Sequence, residues 1–133
     1  MIDVEPQVFT KAATALRAEI SGITVSGTED YAPAKLPFCC LVEADNYSYI
    51  QSRDTASNEN HVNVMYEANI FSAKKGGKKA EAKAIEAVLD NVMNEMGFTK
   101  MSSTPIPEGD GTRTRRVIRY AAVISKNETI YRR

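Results

Sequence analysis

One histidine and two cysteines are all that 133 residues supply of the side chains that most often bind metals or act as nucleophiles. The two cysteines are adjacent, Cys39 and Cys40. In an extended segment neighbours point to opposite faces, so this pair forms no structural disulfide and shares no metal. Both read as packing residues. With His61 the only imidazole and no CxxC spacing, a zinc site lacks its ligands. A serine–histidine mechanism fails as well, because no G-x-S-x-G elbow accompanies His61. No run approaches the roughly 18 apolar residues that would suggest a membrane span. The opening "MIDVEPQVF" is acidic where a secretory signal would be apolar. The expectation is a chain made in, and assembled from, a reducing cytoplasm, with no membrane partner and no cofactor.

Net charge is missing too, but only in the sum. Residues 1–70 hold ten acids and four bases, residues 71–133 seven acids and thirteen bases, so the halves carry −6 and +6. Either the halves compensate within one fold, or they present opposite faces to neighbouring copies. A dedicated nucleic-acid binder would carry net positive charge, and this chain does not.

What is present suits a globular domain. Hydrophobic residues make up 43% and charged residues 26%, and the length allows one domain, 1–133, with a core that needs no staples. A first helix is predicted near residues 6–20, with Pro6 at its start and Phe9, Ala12, Ala13, Leu16 and Ile20 along one face. Gly22 supplies its stop. "ITVSG" (23–27) reads as a short strand, followed by a loop carrying Pro33 and Pro37.

"FCCLVEAD" (38–45) reads as a strand whose Phe38, Cys40, Val42 and Ala44 share a side, with Glu43 and Asp45 on the other. A polar connection, 46–59, follows. Residues 61–71 alternate most cleanly, with Val62, Val64, Tyr66, Ala68 and Ile70 facing one way. Such period-two alternation belongs to an antiparallel sheet covered on one face.

A second helix is predicted over 78–96. Its apolar stripe is Ile85, Val88, Leu89, Val92, Met93 and Met96; Lys79, Lys83, Glu86 and Asp90 take the polar side, and Gly97 ends it. "FTKMSS" (98–103) reads as a strand and "TPIPEGDG" (104–111) as a loop. Residues 112–126 form a long strand, with Ile118, Tyr120, Ala122 and Ile124 opposite Val117, Arg119 and Val123. "ETIYRR" (128–133) closes the chain as a short strand. The predicted fold is α+β: a single mixed, mostly antiparallel sheet, two helices packed on one face, order α-β-β-β-α-β-β.

"SAKKGGKKAEAKAI" (72–85) is the nearest approach to a nucleotide-binding motif. Setting Gly77-Lys78 on the G-K pair of G-x-x-x-x-G-K-[ST] puts Ser72 in place of the first glycine and Lys79 in place of the hydroxyl residue. Two of four fixed positions fail, and G-x-G-x-x-G is absent. Lysines at a helix N-terminus oppose the macrodipole, which an anionic partner would relieve. A solvated basic turn, a subunit contact and a phosphate site all fit that description. Glu43, Asp45, Asp54, Glu59 and Glu67 could in principle meet as a divalent-cation cluster, but no fixed spacing joins them, and a solvated sheet face accounts for them. Arg113, Arg115, Arg116 and Arg119 form a basic patch on one strand. Tyr66 and Tyr120 fall on apolar faces, where core packing explains them better than base stacking.

The stretches "LPFCCLVEADN", "ENHVNVMYEANIFSAKKGGKKAEAKAIEAVL" and "RYAAVISKNETIYRR" resemble the tail terminator proteins of long-tailed bacteriophages, also called tail-completion or head–tail joining proteins. The likeness covers nearly the whole chain and lies in pattern and order. It implies a small α/β protein of the virion that is not an enzyme and forms a ring, expected to be a hexamer. That ring caps the major tail-tube protein, stops its polymerisation and docks to a head-completion or connector protein, with DNA passing through the channel. Another neck protein, such as a head-closure ring component, is the alternative, and a small nucleotide-binding enzyme a further one. No residue role transfers with the resemblance. From residue type and placement, the candidate contacts are Tyr47, Tyr49, Arg53, Lys74, Lys75, Lys78, Lys79, Arg113, Arg115, Arg132 and Arg133.

Overall fold

The computed structural model describes residues 5–28, 33, 35–48, 61–73, 76–106, 113–125 and 130–132; side chains are described for these except 45–48, 61–62, 125 and 130–132. Two helices, α1 (Glu5–Glu19) and α2 (Lys78–Met96), accompany strands β1 (Thr24–Ser26), β2 (Phe38–Ser48), β3 (His61–Ser72), β4 (Thr99–Ile106), β5 (Thr114–Ser125) and β6 (Ile130–Arg132). All the strands belong to one sheet, ordered β1-β2-β3-β5-β4, with β6 also on β5. β1 runs parallel to β2, and the remaining pairings are antiparallel. The predicted class, element order and one-sided helix packing are what the chain adopts, with β6 as the short closing strand. Because β3 occupies one edge of β5 from Thr114 to Ser125, β4 and β6 lie in line along its other edge.

Both helices press on one face. Val8, Ala12, Ala13 and Leu16 of α1 and Ala82, Ile85, Leu89 and Met93 of α2 join Cys39, Leu41, Val64, Tyr66, Ala68, Ile70, Ile118, Tyr120, Ala122 and Ile124 in a single core. Phe9, Ile20, Val88, Val92 and Met96 pack at its margin. Phe98 meets Tyr66 edge-on, centroids 5.3 Å apart, an arrangement that ring quadrupoles favour. Gly22 and Gly97 adopt left-handed conformations where the helices stop, and Gly97 donates to Asn94, in the manner of a left-handed C-cap.

β2 departs from the expected pattern. Phe38 and Cys40 do not face the helices; they pack with Phe71 on the opposite side of the sheet, where half-buried Leu36 joins them. Cys39 and Leu41 take the helix side, while Ala44 is exposed. The run Phe-Cys-Cys-Leu is apolar on both faces because both faces are covered there, so no alternation marks the inner one. The strand also continues to Ser48, into the segment expected to be a connection. β4 likewise runs on to Ile106 through Pro105, which an edge strand tolerates because its outward N–H has no ladder partner to lose.

Candidate functional site

The candidate contact residues that are described fall at the two ends of the long strands. At one end Ser72 of β3 pairs with Thr114 of β5, and Phe71 with Arg115. Arg113 and Arg115 stand here, their guanidinium carbons 4.7 and 5.5 Å from the centre of the Phe71 ring. Stacking of this kind stabilises by about 0.5–1 kcal/mol when partly exposed. Lys78 and Lys79 open α2 near the same end of the sheet, following β3 through the Gly76–Gly77 turn. At the other end Tyr47 of β2 pairs with Asn63, and Arg132 of β6 with Ala122. Tyr49, Arg53, Lys74, Lys75 and Arg133 lie outside the described residues, as do the side chains of Tyr47 and Arg132.

The first turn of α2 carries its own anion. Glu81, in that turn, accepts a hydrogen bond from Ser72 Oγ at 2.6 Å. Gly76 has φ +76°, a conformation in which a side chain would be strained, so the glycine has a local backbone reason to be there. No side chain caps the helix, and the Gly77 carbonyl accepts from the Glu81 N–H at 2.9 Å. A carboxylate already complements the dipole at this terminus.

The basic patch expected on β5 divides between the faces of the sheet. On the side away from the helices, Arg115 donates from Nε and Nη2 to Asn69 Oδ1 at 3.0 and 2.8 Å. Asn69, fully buried, donates to Glu67 at 3.3 Å, and Glu67 lies 3.6 Å from Arg119. Arg116 turns the other way and reaches α2, with Nε 2.7 Å from Glu86 Oε1 and Nη2 2.7 Å from Ser103 Oγ. Glu86 and Asp90, expected on the solvent side of α2, therefore line its sheet-facing flank. Lys100 of β4 bonds both, at 3.0 and 2.9 Å, and the Tyr120 hydroxyl donates to Asp90 at 2.5 Å. The helix spacing of these acids suits two stripes equally, and only the donors arriving from β4 and β5 decide between them. Tyr120 thus spans both roles, its ring in the core and its hydroxyl in this seam.

Charge in the seam is matched. Burial disfavours the Glu86 carboxylate, but hydrogen bonds from Lys100, Ser103 and Arg116 outweigh it and hold the carboxyl below its ordinary range. Hydrogen bonds to Asp90 and Glu86 push Lys100 up. Burial, with Asp90 beside it, pushes the Tyr120 hydroxyl far up, so it remains a donor. A carboxyl depressed in the folded chain contributes stability above its unfolded value, near 4.5, and loses that contribution as pH falls through the lower folded value. Lys100 has the opposite sign: its contribution is complete below about 10.5 and is lost only as pH climbs through its raised value. Unfolding free energy should therefore fall on acidification below pH 4.5, and less steeply in Glu86→Gln. Urea titrations at stepped pH measure this, and equal slopes in the two proteins would contradict it.

Of the acidic residues considered for a cation, the two whose side chains are described, Glu43 and Glu67, stand on opposite faces of the sheet. Glu43 pairs with Tyr66 and shares its helix-facing side, whereas Glu67 pairs with Val42 on the other side. Asp54 and Glu59 lie outside the described residues, and among the described residues no three carboxylate, histidine or cysteine groups cluster as a cation site. Both cysteines are buried free thiols, and burial, with Cys40 alongside, pushes the Cys39 thiol far up. His61 begins β3. Among the described residues no helix is long and apolar enough to cross a membrane. No protein-family model matches the chain, and no curated protein matches it.

Proposed function

We propose that this chain is a structural virion protein of a long-tailed bacteriophage, a tail terminator that works as a ring at the joint between tail and head. The observation that carries the reading is the whole-chain likeness of pattern and order noted in the sequence. The α-β-β-β-α-β-β order with both helices on one sheet face agrees with it. Two further features support it. The described candidate contacts lie at both ends of the long strands, as a ring meeting a tube on one side and a connector on the other would need. Charge on the strands is sorted across the sheet: Glu43, Asp45 and Glu67 on β2 and β3, and Lys100, Arg115, Arg116, Arg119 and Arg132 on β4, β5 and β6. A head-to-tail ring brings unlike surfaces of successive copies together. Capping is then mechanical, the completed ring covering the open end of the tube and leaving no surface for the next tube subunit.

Light scattering and negative-stain imaging of the purified chain, alone and mixed with tail-tube protein, test the proposal. Rings that bind tube ends and arrest tube growth are expected. A strict monomer that leaves tube length unchanged would overturn it.

A further inference from the structure

Among the described residues, Met101 is the large hydrophobic side chain left exposed, at 50%. It stands on β4, the outermost strand at one end of the sheet, in the irregularity between Lys100 and Ser102. Lys100 pairs with Tyr120 and Ser102 with Arg119, so β4 holds one residue more than β5 at this point. A regular strand making the same pairs would have no residue there. An inserted residue of this kind is left out of the ladder, and the bend it makes re-aims the side chain.

The opposite side of the sheet carries a cleft of about 200 Å³ lined by Glu5, Pro6, Phe9, Gly27 and Leu41. It is smaller than the roughly 300–1,000 Å³ of ordinary small-molecule sites, and all its walls but Glu5 are apolar. Gly27 helps keep it open: a Cβ there would already touch the Phe9 ring, 3.5 Å away. An unbranched thioether suits an irregular cleft of this size and makes favourable contacts with an aromatic wall.

The strand register fixes the relative height of these two features. Glu43, Tyr66, Tyr120 and Lys100 form one row across four strands, and Leu41, Ala68, Ile118 and Ser103 form a second, two residues along β2 from the first. The cleft adjoins both rows on the β2 side, through Leu41 and through Glu5, whose carboxylate accepts from the Glu43 N–H at 3.3 Å. Met101 falls between the same two rows on the β4 side. Knob and cleft are therefore level to within about two residues, roughly 7 Å of strand, with β3 and β5 between them.

We propose that Met101 of one copy seats in this cleft on the next copy. A contact between two different surfaces repeats head to tail, and it either closes into a ring or runs on as a filament. Because knob and cleft are level, successive copies gain little height along the strands, which favours closure. The charges alongside, Lys100, Arg119 and Glu5, each have a partner within the chain, so the contact is apolar in character. Closure rests on the ring reading above; the contact rests on the knob, the cleft and their register.

Two measurements on the full chain test this. Sedimentation velocity compares self-association of the wild type, Met101→Ser and Gly27→Leu. The first removes the knob at an exposed position, and the second fills the cleft where a Cβ makes ordinary contact, so the melting profile should stay unchanged in both. Each should weaken association by roughly tenfold or more, as loss of an apolar anchor does. Mild oxidation of a chain carrying both Gly27→Cys and Met101→Cys, read by non-reducing electrophoresis, should give cross-linked multimers that neither single variant gives. Cys39 and Cys40 are buried and stay out of the reaction. A wild type that associates, is indifferent to both substitutions and yields no cross-link would overturn the contact and leave the ring reading standing. Association weakened by both substitutions, but growing with concentration into open chains, would support the contact and overturn the ring. A chain that stays monomeric at every concentration and never cross-links would overturn both.

Discussion

Arg116→Met will lower the unfolding free energy by about 3 kcal/mol, near the lower end of the cost of stranding one member of a buried ion pair. The reason lies in what it leaves behind. Glu86 is only 7% exposed, and the Arg116 Nε–H at 2.7 Å is its closest donor. Methionine keeps the apolar stem, so the packing changes little while the carboxylate loses its shortest hydrogen bond and its most buried cation. Lys100 still reaches Glu86 at 3.0 Å, but it is shared with Asp90 and its side chain is 40% exposed, which is why the loss stays at the lower end. Replacing both partners, Glu86→Leu with Arg116→Met, should cost much less than the sum of the singles, since no charge is then stranded. Urea unfolding of the four proteins gives the cycle. Additive single effects, each under about 1 kcal/mol, would show that the seam is screened by water and holds α2 only weakly.

Phe71→Ala should cost about 3–5 kcal/mol, as much as an equivalent deletion in the main core. Phe71 is fully buried although it faces away from both helices. Its ring lies 6.1 Å from that of Phe38, touches the Cys40 cluster, and carries the Arg113 and Arg115 guanidiniums on its surface. Alanine removes the common contact of all four and leaves a cavity that a sheet backbone cannot collapse to fill. Phe71→Leu keeps most of the volume but loses the cation–π contacts, so about 1–2 kcal/mol is expected. The shift in urea midpoint at constant slope is the measure. A cost below about 1 kcal/mol for alanine would mean that this side of the sheet behaves as solvated surface.

These two positions also mark where sequence reasoning stopped. The strands that alternate, β3 and β5, announce their inner faces directly: Val64, Tyr66, Ala68 and Ile70, and Ile118, Tyr120, Ala122 and Ile124, are all in the core. The helix stripes were legible for the same reason, with Val8 and Ala82 the additions. β2 was not, because a run apolar on both sides carries no period. Its inner residues are decided by pairing with β3, a contact some thirty residues away in the chain. Glu86 departs from its expected solvent-facing position for a related reason. A glutamate on a helix is assigned to water unless its donors are known, and these come from Lys100 and Arg116 on other elements. The one local signal was a basic residue, Arg116, on the otherwise apolar side of β5, two positions before Ile118. A charge at an inward position demands a counter-charge from whatever covers it.

The segregation of −6 and +6 was visible in composition, and its spatial meaning was not. Its part on the strands becomes an acidic and a basic side of one sheet only through the strand order, which places β4, β5 and β6 together on one side. Among the candidate contact residues, Arg113 and Arg115 prove to have a structural occupation as well, on Phe71 and Asn69, so their substitution would perturb stability along with any contact.

The adjacent thiols acquire a use from their placement. Cys39 sits in the layer between sheet and helices, Cys40 in the smaller layer on the far side, one residue and one sheet thickness apart. Neither reacts while its layer is closed, since burial keeps both sulfurs inaccessible and, at Cys39, also keeps the thiol protonated. Alkylation of each sulfur is therefore a clock for its own layer, started by the same opening of β2 only if the two layers come apart together. Mass spectrometry of singly modified chains would read which side of the sheet breathes first, without adding a probe to the protein.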